Sequence, residues 1–184
     1  MMTTIGIIGR GIQHANDLID PKTMEFARQI GRLVAKRGGV VVSGGLGGVM
    51  EAASQGAKEE GGLTIGFLPS MDKATGNPFL DVVLPTGLGR MRNLLTARGC
   101  DAIIMIGGGC GTLNELTISY AEARPVIVLR GSGGWADKIE AVLDDGHYLD
   151  DRKTVSIDFA DTPDEVVERA FARAGNSSGS AQPD

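Results

Sequence analysis

Histidine and cysteine are nearly absent from this chain, with two of each among 184 residues. His14 and His147 fall in separate expected loops, so a histidine-based metal site lacks ligands. Cys100 and Cys110 form neither a disulfide framework nor a C-x-x-C pair, and reduced thiols in a cytoplasm are the simplest reading. Long apolar runs are missing too. No stretch approaches the ~18 residues of a membrane span, and Met1 to Gly9 carries no basic segment of the kind that opens a secretory signal. A soluble, cytoplasmic protein without a membrane partner is expected. No run of Lys or Arg stands against the formal net charge of −5. The chain therefore has nothing to neutralise a row of phosphates, and nucleic acid is not an expected partner.

Hydrophobic residues make up 42% and charged residues 22%, ordinary values for a globular chain. At roughly 100 to 200 residues per domain, the length predicts a single domain. Residues 1–174 carry its patterning, whereas the run from Gly175 to Asp184 has almost nothing to bury and reads as a disordered tail. Short apolar runs alternate with helical patterns. The predicted strands are Thr4 to Ile8, Val40 to Ser43, Leu63 to Phe67, Asp81 to Leu84, Ala102 to Ile106, Pro125 to Leu129 and Thr154 to Phe159. Asp20 and Pro21 open the first helix as N-cap and first residue, and Phe26, Ile30, Leu33 and Val34 give it one apolar face. Further helices are expected over 49–60, 91–99, 112–123, 135–144 and 162–172. The fold class that follows is α/β, a single doubly wound, Rossmann-like parallel sheet with helices on both faces.

The residue in excess is glycine, 28 in all, roughly twice the ordinary ~7%. Two loops after predicted strands repeat one spelling, Gly-Gly-x-Gly-x-x-x-Glu: Gly44 to Glu51 and Gly108 to Glu115. In a parallel sheet such loops lie at the carboxyl edge, where ligands settle, and glycine lets backbone N–H groups approach an anion. The helix that follows adds its positive end. Gly9-Arg10-Gly11 and Gly131-Ser132-Gly133-Gly134 add two more glycine turns at that edge. Tight strand-to-helix turning is the alternative use of such glycines. No glycine loop is followed by lysine, so there is no Walker loop, and Asn114 stands where a dinucleotide fingerprint needs its third glycine.

The stretch Arg92 to Glu115 resembles, without a gap, a segment of the lonely-guy-type nucleoside 5′-monophosphate phosphoribohydrolases, often labelled lysine decarboxylase-like: Arg-Lys, helix, apolar strand, then Pro-Gly-Gly-x-Gly-Thr-x-x-Glu. Gly44, Gly45, Gly48, Val49 and Met50 resemble an earlier Gly-Gly and Gly-Leu-Met segment of that family. Asn93 stands where the hydrolases have lysine and Gly107 where they have proline. The run Ile106 to Thr112 is more similar to a sister group that includes the molybdenum cofactor carrier proteins. The resemblance implies a Rossmann-like fold and a phosphate-bearing ligand, which carriers hold without turning it over. Decarboxylation is not expected, because it needs pyridoxal phosphate on a lysine. Lys22, Lys36, Lys58, Lys73, Lys138 and Lys153 all fall in expected helices or outer loops.

Loops and resemblance together nominate Gly9, Arg10, Gly44, Gly45, Gly48, Met50, Arg92, Gly107, Gly108, Gly109, Cys110, Gly111, Thr112 and Glu115 as ligand-binding residues. No metal or required cofactor is among the expectations; the bound molecule is a nucleoside monophosphate or the molybdenum cofactor. In the hydrolase alternative, which cleaves the N-glycosidic bond of a nucleoside 5′-monophosphate, Glu115 and Arg92 are the catalytic pair. An inactive sensor module is a third option. Thr112-x-x-Glu115 also reads as a capping box, in which Glu115 only satisfies a backbone N–H. Against that, Glu115 lies roughly 130° from the mean direction of Leu113, Leu116 and Tyr120 at 100° per residue, free to face a ligand. Arg90 and Arg92 open a helix where a cation is unfavourable, so one of them needs an anionic partner, a ligand or Glu115. Met91, Leu94 and Leu95 resemble the family's dimer-forming surface, and a homodimer or higher homo-oligomer is expected.

Overall fold

The computed structural model describes residues 1–12 and 18–177. Its seven strands are β1 (Thr4–Gly9), β2 (Val40–Ser43), β3 (Leu63–Leu68), β4 (Val82–Pro85), β5 (Ala102–Ile106), β6 (Val126–Leu129) and β7 (Ile157–Ala160). They form one sheet in the order β4-β3-β2-β1-β5-β6-β7, with every neighbouring pair parallel. The helices are α1 (Pro21–Lys36), α2 (Val49–Glu59), α3 (Asn93–Arg98), α4 (Cys110–Ala121) and α5 (Pro163–Ser177). This is the α/β class expected. The strand order turns back between β1 and β5, the switch point at which open parallel sheets bind ligands.

The central strands are apolar throughout because both of their faces are covered. Ile5, Ile7, Ile104, Ile106, Ile127 and Leu129 pack with residues of α1, α2 and α5. Their alternates Ile8, Ile103, Met105, Val126 and Val128 pack with Leu116 and Tyr120 of α4, as a period of two demands. α1 starts as its sequence dictates: Pro21 occupies the first turn and the Asp20 carboxylate accepts from the Lys22 N–H at 2.9 Å.

The helix expected over 135–144 does not form; only a 3₁₀ turn at Ile139–Val142 appears. The start of this segment has other tasks. The N–H groups of Trp135 and Ala136 donate to the carbonyls of Gly108 and Gly107 at 3.0 and 3.1 Å. The Asp137 carboxylate turns back to accept from Gly131 and Gly133. Trp135 packs half-buried against the α4 side of the core. β7 begins at Ile157 rather than Thr154, with the Ser156 hydroxyl donating locally to Asp158. α5 continues through Ser177, so Gly175, Asn176 and Ser177 are helical. The rest of the expected tail, and His14, lie outside the described residues.

Candidate functional site

The β5–α4 connection is the open part of the edge. α4 starts at Cys110, with Gly109 as an N-cap that offers no side-chain bond. Thr112 is thus the third helical residue and not the cap, and Thr112-x-x-Glu115 is not a capping box. The N–H groups of Cys110, Gly111 and Thr112 have no intrahelical partner, as in the first turn of any helix, and they lie at the positive end of the helix. Gly109, Cys110 and Gly111 are exposed, whereas Gly107, Gly108 and Thr112 are buried. Gly107 adopts φ +59° and donates its N–H to the Ser132 hydroxyl at 2.8 Å. Proline, the hydrolases' residue at this point, supplies neither that φ nor an N–H.

The Gly44 loop is built differently. A Cβ on Gly44 would lie 2.2 Å from Nη2 of Arg92. The missing side chain makes room for a guanidinium. Gly44, Gly45, Gly48 and Val49 are buried, and two N–H groups of the loop are bonded inside the protein: Gly45 N–H donates to the Ser43 hydroxyl at 3.1 Å. Val49 N–H, at the start of α2, donates to the Arg10 carbonyl at 3.1 Å. Gly9 lets α2 approach, since a Cβ there would meet Val49 Cγ1 at 2.5 Å. Met50 is buried, its methyl beneath Gly11, and Gly48 sits with a Cβ position 2.6 Å from the Arg10 carbonyl oxygen.

Arg92 and Glu115, 23 residues apart, meet at 3.2 Å between Nη1 and Oε1. Arg92 closes a 3₁₀ turn, Gly89–Arg92, and caps α3; its partner is Glu115. Arg90 is exposed, as a solvated arginine should be. Both members of the pair are buried. Asn93 accepts from Arg92 Nη1 at 3.1 Å and donates to Asn114 at 2.9 Å, which extends the pair into a chain of four side chains. Arg92 Nε is buried with no partner. Burial pushes the Glu115 carboxyl up to about 7, and the facing guanidinium only partly opposes this. A carboxyl in that range both gives and takes a proton near neutrality.

On the other side of Gly107 and Gly108 lies a cavity of about 280 Å³, lined by Arg10, Asp20, Thr23, the Gly131–Gly134 turn and Asp137. Thr23 donates to the Ser132 carbonyl at 3.1 Å. Asp137 accepts from Gly131 N–H at 2.7 Å and Gly133 N–H at 3.0 Å, so a carboxylate of the chain itself already fills that glycine turn. The structure thus gathers Arg10, Gly107 and Gly108 about the cavity, and Gly44, Arg92 and Glu115 about the ion pair. Thr23, Asn114 and Asp137 were not among the residues the sequence nominated, and Ser132 was named only as part of its glycine turn. Only Asp137 left a signal, a carboxylate following Gly-x-Gly-Gly. Of the remaining candidates, Cys110 is exposed at the first turn of α4, and burial pushes the Cys100 thiol up to about 12. His147 Nδ1 lies 2.9 Å from the Ile157 carbonyl, a structural bond.

Known proteins share this fold. A molybdenum cofactor binding protein from the phototrophic bacterium Rippkaea orientalis superposes with a TM-score of 0.78 at 32% identity, covering 94% of this chain and 97% of that one. The molybdenum cofactor carrier protein of Chlamydomonas reinhardtii gives 0.78 at 27% identity, covering 95% and 99%. The cytokinin riboside 5′-monophosphate phosphoribohydrolase of Mycobacterium marinum is 30% identical over 145 residues, 77% of this chain and 73% of that enzyme. Residues 2–167 match the SLOG cluster4 family. The likeness to phosphoribohydrolases therefore extends well beyond Arg92 to Glu115, to 77% of the chain, and the protein belongs to the SLOG cluster4 family.

Proposed function

We propose that this protein binds the phosphate of a nucleotide- or pterin-type small molecule on the first turn of α4, as a carrier that does not turn the ligand over. The observation that carries this reading is the start of α4, with its three exposed residues and no side-chain cap. The molybdenum cofactor proteins among the structural relatives support it, and so do the two departures from the hydrolases. Gly107 ties the turn to Ser132. Asn93, held between Arg92 and Asn114, brings no second cation where the hydrolases have lysine. Native mass spectrometry of the purified protein tests it. A retained phosphate-bearing pterin or nucleotide is the expected result, and a bare protein that takes up neither on titration contradicts it.

One observation favours the phosphoribohydrolase reading. Glu115, buried beside Arg92 and pushed up to about 7, suits a general acid or base at a glycosidic bond. A panel of nucleoside 5′-monophosphates assayed for release of free base decides between the two. Release that disappears in Glu115→Gln replaces the carrier reading with the hydrolase one.

The protein also presents a surface for a second copy of itself. Over β3 and β4 the α4 side of the sheet is only partly covered, leaving Leu63, Val82 and Leu84 exposed beside Leu88, Met91 and Leu94. β4 is an edge strand, and exposed apolar residues along an edge are the kind of surface on which chains associate. Because Met91 and Leu94 flank Arg92, a partner seated there closes the side of the site that carries the ion pair. Sedimentation should show a dimer or larger species, and a 19.2 kDa monomer at all concentrations contradicts it.

A further inference from the structure

The cavity between Arg10, the first turn of α1 and the Gly131–Gly134 turn shares the wall of Gly107 and Gly108 with the start of α4. A ligand whose phosphate rests on α4 therefore has this cavity within reach of its other end. Its chemistry is unlike that of the α4 turn, because several donors along the wall are already bonded within the protein. Gly107 N–H and the Thr23 hydroxyl both donate to Ser132, through its hydroxyl and its carbonyl. The Ser132 hydroxyl donates to Leu129, and the Gly131 and Gly133 N–H groups to Asp137. The charged groups of the lining are Arg10 and two carboxylates, Asp20 and Asp137. Asp20 uses one oxygen to cap Lys22. Asp137 takes one N–H on each oxygen, and a carboxylate has about four acceptor positions, so each oxygen keeps one.

Against the single guanidinium of Arg10 the two carboxylates leave the lining net negative, which disfavours a phosphate dianion, whereas a neutral ring rich in N–H groups suits this wall. Asp137 is held in place by its two backbone bonds, which presents its oxygens side by side without ordering cost on binding. Two adjacent oxygens match two adjacent donors, the ring N–H and exocyclic NH₂ of a 2-amino-4-oxo pyrimidine ring. The 6-aminopurine edge offers NH₂ beside a bare ring nitrogen, which places acceptor against acceptor. We infer that this cavity receives the 2-amino-4-oxo ring of the ligand, as found in guanine and in pterins, and that Asp137 is the residue that selects it. The inference rests on the phosphate reading proposed above.

Titration calorimetry on the wild-type protein with guanosine, inosine and adenosine 5′-monophosphates and a 6-hydroxymethylpterin monophosphate tests it without any variant. Inosine monophosphate differs from the guanosine compound only by the 2-amino group. The guanosine and pterin compounds should bind at least tenfold more tightly than the inosine one, and the adenosine one should be the weakest. Asp137→Asn should bring the guanosine and inosine compounds to within about threefold of each other while leaving the adenosine affinity as it was, with a native circular dichroism spectrum and a cooperative melt well above the assay temperature as the folding control. Equal affinities for all four in the wild type overturn the ring assignment and leave the phosphate site standing. Full discrimination retained in a folded Asp137→Asn overturns the role of Asp137. If none of the four binds, the phosphate reading itself falls and takes this inference with it.

Discussion

Gly44 to Glu51 and Gly108 to Glu115 follow β2 and β5 at one edge of one sheet and carry the same spelling. In the first, the Arg92 guanidinium lies where a Gly44 side chain would be, and the N–H groups of Gly45 and Val49 are bonded inside the protein. In the second, the residues entering α4 are exposed, and a Cβ on Gly109 or Gly111 meets nothing within 4 Å, although α2 and α4 both start on a glycine without a side-chain cap. Their glutamates differ as well: Glu51 is half-buried, while Glu115 is buried against Arg92. A glycine-rich loop becomes an anion cradle only if the N–H groups it exposes stay unengaged. One loop here seats a cation, and the other is the one we propose for an anion.

The largest way to break this contrast is Arg92→Met. It leaves Glu115 buried without its guanidinium and removes the group for which Gly44 makes room. A loss of about 3–5 kcal/mol is expected in denaturant unfolding, the scale for breaking one side of a buried ion pair. Gly44→Ala should follow at about 1–3 kcal/mol, because its methyl forces a buried guanidinium aside. If Gly44→Ala unfolds like the wild type, the seat for Arg92 is misassigned.

The Glu115 proton supplies the next effect. Burial raises its carboxyl from the ordinary 4.5 to about 7 in the folded protein, so between those values the folded state holds a proton that the unfolded chain has lost. Stability from this group is fully present below about pH 4.5 and is lost as pH rises through about 7. Urea unfolding followed across that window should show the decline in the wild type and a flatter profile in Glu115→Gln. The smallest effect should come from Gly111→Ala. Its Cβ enters open space and alanine favours a helix, so stability rises by roughly 0.5–1 kcal/mol. Phosphate binding should weaken, since a Cβ in a helix leans toward the N-terminus and into the cradle. Thermal melts with and without phosphate separate the two consequences.

Much of this was legible in the chain because it rests on local chemistry. Alternating apolar runs marked every strand of the sheet, and Asp20-Pro21 marked the start of α1. Long-range partnership was harder to read. Nothing between residues 92 and 115 says that Arg92 and Glu115 touch, although the unfavourable place of a cation at a helix start signalled that Arg92 needed an anion. The capping-box reading of Glu115 failed because α4 begins two residues early, at Cys110, which moves Thr112 into the helix. The expected helix over 135–144 failed because Trp135, Ala136 and Asp137 serve the two neighbouring glycine turns instead of one another. Such tertiary bonds override a local helical pattern and leave no periodic trace.

The central claim is that phosphate binds the Gly108 loop and not its look-alike. Amide chemical shifts of the nitrogen-15-labelled protein, followed while inorganic phosphate is added, test it most directly. Shifts concentrated on Gly109, Cys110, Gly111 and Thr112, with Gly44 to Val49 unmoved, are expected. Shifts concentrated on the Gly44 loop, or none at either loop at saturating phosphate, would contradict it.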